Sequence, residues 1–259
     1  MELKAVLFDM DDTLIDWSKN ETNWEEAARD HMAGVYKYVI ENLTPLGNEE
    51  QFAKRMWDRI LDDWNHATRT LTAPHIGRSM SHVLQEIGVA SEKIDMNALL
   101  NAYGWGPFPG VEPFEDALEV LPDLKKHGIK IGLVTNAAQP ITMRERELEA
   151  FGLNDYIDQY CRITAADVGY LKPHPEIFRR ALDCLGAEPD QVVFVGDSVG
   201  ADIVGAQGVG MKAVLRRLKH RREQQQKDIT EDSTPDAQID TLHDLYDILD
   251  DWYPNWREA

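Results

Sequence analysis

Cysteine is almost missing from this sequence: Cys161 and Cys184 are the two in 259 residues. Two thiols without metal-ligand spacing make no disulfide framework and suit a reducing cytoplasm, a single bridge between them being the one pairing open. Long apolar runs are missing too. None approaches the roughly 18–20 residues that span a bilayer, and the N-terminal segment turns acidic at Asp9 before an apolar stretch of signal-peptide length. A soluble, cytoplasmic protein without membrane partners is expected. Positive charge is scarce, with 27 basic against 46 acidic residues and a net charge of −19. Such a surface repels nucleic-acid backbones, which excludes general DNA or RNA binding. It repels small anions as well, so a phosphate substrate would need local positive charge from a lysine, backbone N–H groups or a metal.

Apolar residues make up 43% of the chain, enough for one large α/β domain or a core with a smaller insertion. Four short apolar runs read as buried strands: Ala5 to Phe8, Ile129 to Val134, Val192 to Val195, and Ala213 to Leu215. Helical segments lie between them. Pro175 to Leu185 has apolar side chains at helical spacing and a proline in its first turn. Pro113 to Gly128 reads as a helix broken or kinked at Pro122. Ile141 to Phe151 is polar and free of breakers, with Gly152 placed to end it, and Thr241 to Asp251 reads as a last amphipathic helix. Alternating strands and helices imply a doubly wound parallel sheet with helices on both faces.

The stretch from Trp17 to about residue 107 lacks strand-like runs. It reads as helical over Trp24–Leu43, Glu49–Asn65 and Ser79–Gly88, and it holds five of the seven tryptophans, counting Trp17 and Trp105. These read as core residues more readily than as substrate platforms. The Gly/Pro-rich Gly104 to Gly110 suits a boundary. The division expected is a core of residues 1–16 and 108–259 and a helical insertion of 17–107. The stretch Arg216 to Lys227, with six Lys or Arg residues, reads as a solvated helix or loop. His66, His75 and His82 have no metal-site spacing.

Three strands end in residues that carry chemistry, and ligands of open parallel sheets bind beyond the carboxyl ends of strands. Asp9 and Asp11 follow the first strand, Thr135 and Asn136 the second, Asp197 a later one, and Lys172 lies in a loop before a helix. Carboxylates as close as Asp9 and Asp11 repel unless a cation lies between them or one is protonated. With Asp197 they offer an all-oxygen site of the kind that suits Mg²⁺. An aspartate can also attack phosphorus to form an aspartyl-phosphate, while Lys172 and Thr135 would neutralise and hydrogen-bond the moving phosphoryl oxygens. Asp12 and Asp16 read as structural or solvent-facing.

Asp9-Met10-Asp11-Asp12-Thr13, Thr135-Asn136, Lys172-Pro173 and Gly196-Asp197-Ser198-Val199-Gly200-Ala201-Asp202 resemble, in order, the four motifs of the haloacid dehalogenase-like (HAD) hydrolase superfamily. The resemblance covers nearly the whole chain, because the helical insertion sits where one HAD group carries a cap domain. It implies a Rossmann-like α/β core, Asp9 as nucleophile, and Asp11 as general acid and then base, its backbone carbonyl also on Mg²⁺. It further implies Asp197 and Asp202 at or near the metal, Thr135 and Lys172 on the phosphate, and Asn136 assisting. The dehalogenases of the superfamily lack an acid at the position of Asp11, since halide leaves without a proton. Asp11 therefore points to a phosphatase acting on a small phosphorylated metabolite. A phosphoryl-transferring mutase and a catalytically idle binding protein on the same fold are the alternatives.

Overall fold

In the computed structural model, which describes residues 2–258, the chain opens with strand β1 (Ala5–Phe8), buried throughout. A short strand β2 (Ile15–Asp16) follows the acidic cluster. Four helices come next: α1 (Trp24–Asn42), α2 (Glu49–Thr70), α3 (Ile76–Glu86) and α4 (Met96–Tyr103). Side chains of Asn23, Asn48 and Asp95 accept backbone N–H bonds at the starts of α1, α2 and α4, satisfying donors that have no partner inside a helix. Strand β3 (Glu112–Pro113) then pairs antiparallel with β2, so the helical segment leaves and returns through one small ribbon.

From there strands and helices alternate. The order is α5 (Glu115–Lys126), β4 (Lys130–Thr135), α6 (Ile141–Ala150), β5 (Arg162–Thr164), α7 (Ala165–Val168), α8 (Pro175–Leu185) and β6 (Val192–Gly196). It continues through α9 (Val204–Gln207), β7 (Lys212–Arg216), α10 (Arg222–Asp228), β8 (Ala237–Ile239) and α11 (Leu245–Trp252). The main sheet is parallel throughout, in the order β5-β4-β1-β6-β7-β8. Its strands alternate between two cores. Val6, Phe8, Leu133 and Val195 face one, while Leu7, Val134 and Phe194 face the other, as the two-residue period of a strand requires. This is the doubly wound α/β fold expected.

Several elements differ from the sequence reading. Strands β5 and β8 sit at the two edges, and each holds three residues, too few to form a readable apolar run. Helix α5 continues through Pro122, held by buried Ala117, Val120, Leu121 and Leu124. Helix α4 was not anticipated, and α2 runs to Thr70, where Leu71 takes the left-handed conformation. Cys161 and Cys184 are joined as a disulfide, with Cα atoms 5.6 Å apart. This is the one pairing the sequence left open: the start of β5 and the end of α8 lie side by side, and the chain fold puts both sulfurs there. No helix among the described residues is long and apolar enough to cross a membrane.

Candidate active site at the strand ends

Strands β4, β1 and β6 are neighbours, so Thr135, Asp9 and Asp197 emerge side by side at one end of the sheet. The Asp9 backbone N–H still bonds Val195 O at 2.9 Å, which ties it to the sheet. Beyond it Asp12 takes a positive φ of 61°, and its carboxylate accepts the Trp17 N–H. The acidic cluster is therefore a tight turn rather than a solvated loop.

Asp202 arrives by a different device. Residues Val199–Ile203 form a π-helical turn, a local widening of the helix that recurs at functional sites. The Asp202 carboxylate folds back to accept the Ser198 N–H at 2.9 Å. It lies against Gly196, where an added Cβ would stand 2.4 Å from its carboxyl atoms. Carboxylate oxygens of Asp9, Asp197 and Asp202 all lie within 4.8 Å of one another. All three residues are buried.

Lys172 is the counter-charge. Its ammonium stands 2.5 Å from Asp9 Oδ1 and 2.7 Å from Asp202 Oδ1, and donates to Val134 O at 2.9 Å. Burial pulls its pKa down, but Asp202 and Asp9 outweigh this and push it up. Lys172, together with Arg221 on Asp197, does not neutralise the cluster. Burial, with Asp202 and Asp11 nearby, pushes Asp9 up to about 7 despite Lys172. Burial with Asp202 and Asp9 pushes Asp197 up to about 8. Buried carboxylates that hold protons near neutrality are short of positive charge. An all-oxygen donor set in that condition fits a hard divalent cation such as Mg²⁺.

The Asn136 side chain reaches across to the lysine loop. Both ends of its amide are taken by the Lys172 backbone, at 2.7 Å and 3.1 Å. It locks the lysine loop to the end of β4 with its oxygen and one of its two N–H donors. Thr135 Oγ1 donates to Asp11 Oδ2 at 3.1 Å.

The Asp11 carboxylate turns away from the other three acids. Its Oδ1 accepts from Arg144 Nη2 at 2.7 Å and from Trp17 Nε1 at 2.9 Å. Neither partner was foreseen. Arg144 also lies 3.0 Å from the carboxylate of Glu147, and both side chains are almost fully buried. Trp105 Nε1 donates to Glu147 at 2.7 Å. Burial, offset in part by Arg144, pushes Glu147 up to about 7. The polar residues of α6 thus divide between a solvated face with Thr142, Arg146 and Glu149 and the inward-facing Arg144 and Glu147. The signal was present: Met143 and Leu148 flank Arg144 and Glu147 at helical spacing, and all four are buried.

The basic stretch is solvated over much of its length, with Lys219, Arg222 and Lys227 exposed, but three of its residues reach the site. Arg216 is buried, donating to Thr13 O and to both oxygens of Asp116. Buried Gln225 bonds the carbonyls of Asp197 and Arg216. Arg221 reaches Asp197 at 2.5 Å and Asp12 at 3.5 Å. The acidic cluster and its flanking turn are buttressed from this side.

Comparison with known proteins places this arrangement. A family profile described as haloacid dehalogenase-like hydrolase matches residues 3–210. The chain is 30% identical over 250 residues to a glyceraldehyde 3-phosphate phosphatase of Methanopyrus kandleri, covering 95% of this chain and 97% of the relative. Among solved structures, a HAD phosphatase from Thermococcus onnurineus aligns with a TM-score of 0.55 and 25% identity over 95% of this chain and 98% of that one. A 2-haloacid dehalogenase from Pseudomonas syringae pv. Tomato aligns with a TM-score of 0.60 and 25% identity over 96% and 99%. Matched by the profile over most of its length and by a relative nearly end to end, the chain belongs to the haloacid dehalogenase-like hydrolase family.

Proposed function

We propose that this protein is a Mg²⁺-dependent phosphatase that hydrolyses a small phosphate monoester through an aspartyl-phosphate on Asp9. The observation that carries the reading is the Asp9 carboxylate itself. It is buried at a strand end, bonded to Lys172 and set beside Asp197 and Asp202, with a second carboxylate, Asp11, two residues on.

In the first half-reaction an Asp9 oxygen attacks phosphorus, the P–O bond to the alcohol breaks, and Asp11 gives its proton to the departing oxygen. The donors on Asp11 from Arg144, Trp17 and Thr135 stabilise the carboxylate left behind. In the second half-reaction that carboxylate takes a proton from water, which attacks phosphorus, releases phosphate and restores Asp9. Lys172 offsets the charge carried by Asp9 and the phosphoryl group. Asp9, Asp197, Asp202 and the backbone carbonyl of Asp11 would hold the cation, whose chemistry is to draw charge from the phosphoryl oxygens. Asn136 and Gly196 are positioning residues, one for the Lys172 loop and one for Asp202. The helical segment 17–107 serves as a cap over the site.

A carbon–halogen substrate is disfavoured, because halide needs no proton donor and this chain carries a second carboxylate, Asp11, two residues after the nucleophile. The test is phosphate release with Mg²⁺ over a panel of esters that includes glyceraldehyde 3-phosphate, the substrate in the name of the archaeal relative. Release that depends on Mg²⁺ and on Asp11 supports the reading. Isomerised sugar phosphate without free phosphate would replace it with a mutase, and an inert panel would sink it.

A further inference from the structure

The three donors on the Asp11 carboxylate divide unevenly between its oxygens. Oδ1 accepts from Arg144 Nη2 at 2.7 Å and from Trp17 Nε1 at 2.9 Å, while Oδ2 accepts from Thr135 Oγ1 at 3.1 Å. Each carboxylate oxygen offers two lone pairs. Those of Oδ1 are both engaged, and Oδ2 keeps one. Oδ1 is therefore the anchored oxygen. Oδ2, on a side chain 37% exposed, is the one left to exchange a proton with the leaving group or with water.

The anchor depends on residues further back. The Arg144 side chain is 4% exposed, and a buried guanidinium keeps its place only while its charge is matched. Its second ion-pair partner is Glu147, one turn along α6, with Oε2 3.0 Å from Arg144 Nε. That contact is an ion pair rather than an aligned hydrogen bond, since Arg144 Nε and Glu147 Oε1 have no hydrogen-bond partner. Charge alone does not fix the angle of the guanidinium, so Glu147 must itself be held. Trp105 holds it, donating Nε1 to the same Oε2 at 2.7 Å. Trp105 lies in the linker that returns from the helical segment, packed 5.0 Å from Phe108 and 5.8 Å from His31. From the outer face of α6, Arg146 grips this linker, donating to Trp105 O at 3.3 Å and to Asn101 Oδ1 at 2.9 Å.

A pair kept for stability alone would be poorly chosen. Buried ion pairs add little to stability, and apolar residues of the same volume often do as well. This pair has the acid at one end and an indole N–H at the other. A catalytic group oriented by a second residue, itself held by a third, is the recurring arrangement of acid–base sites.

Building on the phosphatase reading, we propose that Glu147 and Trp105 are positioning residues for the general acid. They hold the Arg144 guanidinium at the angle that pins Asp11 Oδ1 and leaves Oδ2 free for the leaving group. Neither touches the reacting atoms.

The test uses the Mg²⁺-loaded full chain and two esters: p-nitrophenyl phosphate, whose leaving group departs without a proton, and the alkyl phosphate that the wild type hydrolyses fastest. Their kcat/KM values report the first half-reaction, in which the proton is given. Glu147→Leu removes the acceptor and the charge together. Trp105→Phe keeps an aromatic ring and loses the N–H, and it carries the test alone if Glu147→Leu does not fold. Glu147→Gln keeps the acceptor for Trp105. The ratio of kcat/KM for the alkyl ester to that for p-nitrophenyl phosphate should fall about tenfold in Glu147→Leu and several-fold in Trp105→Phe, and stay within about twofold of wild type in Glu147→Gln. A merely structural role would slow both esters alike. That result, or an unchanged ratio in Trp105→Phe, would overturn the positioning role and leave the phosphatase standing. A wild type that releases no phosphate from any alkyl ester would overturn both.

Discussion

Replacing Glu147 with glutamine tests the buried assembly behind Asp11 through its dependence on pH. The folded protein raises the Glu147 pKa from 4.5 to about 7, because burial outweighs the nearby Arg144. The side chain is 1% exposed, so solvent screening does little to reduce the effect. Between those pH values the unfolded chain has lost this proton while the folded chain still holds it. The folded state binds more protons, so the contribution of Glu147 to stability falls as pH rises through that window. At about 1.4 kcal/mol per pH unit, the loss comes to about 3 kcal/mol between pH 4.5 and pH 7. Glutamine keeps the shape and the acceptor for Trp105 but cannot ionise, while Arg144 keeps Asp11 as its partner. The variant should therefore gain about 3 kcal/mol relative to the wild type on going from pH 4.5 to pH 7.5, whatever its offset at low pH. Urea denaturation of both proteins at the two pH values measures this. A difference that stays constant within about 0.5 kcal/mol, or that moves the other way, would refute the account of Glu147 as a buried acid short of compensation.

Gly196→Ala places a Cβ 2.4 Å from the Asp202 carboxyl group. Phosphate release should drop by about 10²-fold or more while circular dichroism stays native, and unchanged activity would remove Asp202 from the site. Asp9 and Asp197 sit near 7 and 8, and a cation must displace their protons. The rise in melting temperature caused by Mg²⁺ should accordingly be larger at pH 8 than at pH 6, with equal shifts counting against these ligands. Asp11→Asn should depress kcat/KM far more for alkyl phosphates than for p-nitrophenyl phosphate, whose leaving group needs no proton. A uniform loss would deny Asp11 the role of acid.

Most parts of the site legible in the sequence lie where an apolar run stops. Val6 to Phe8 ends at Asp9, Leu133 and Val134 at Thr135, and Val193 to Val195 at Gly196-Asp197. A buried strand and its exit can be read from local pattern, and the order of motifs supplies the rest. Arg144 and Glu147 were hidden because an inward-facing charge on a helix looks like a solvated one until its partners, Asp11 and Trp105, are brought in from far along the chain. Arg216 and Gln225 escaped for the same reason, since their partners Thr13, Asp116 and Asp197 are supplied by tertiary structure. Edge strands β5 and β8 gain their extended form from one neighbour each, a long-range cause that three residues do not advertise. The tryptophans read as core residues, and Trp105 is buried. Trp17 and Trp64 pack partly buried against the core, while Trp24 stays 46% exposed, a distinction set by tertiary packing rather than by residue type.

The covalent role of Asp9 is open to direct trial. Mg²⁺-loaded protein mixed with ³²P-labelled ester and quenched in acid within milliseconds should carry label on the peptide containing Asp9, removable by hydroxylamine, and Asp9→Asn should carry none and release no phosphate. Label on any other residue, or an Asp9→Asn protein that still turns over, would contradict the account.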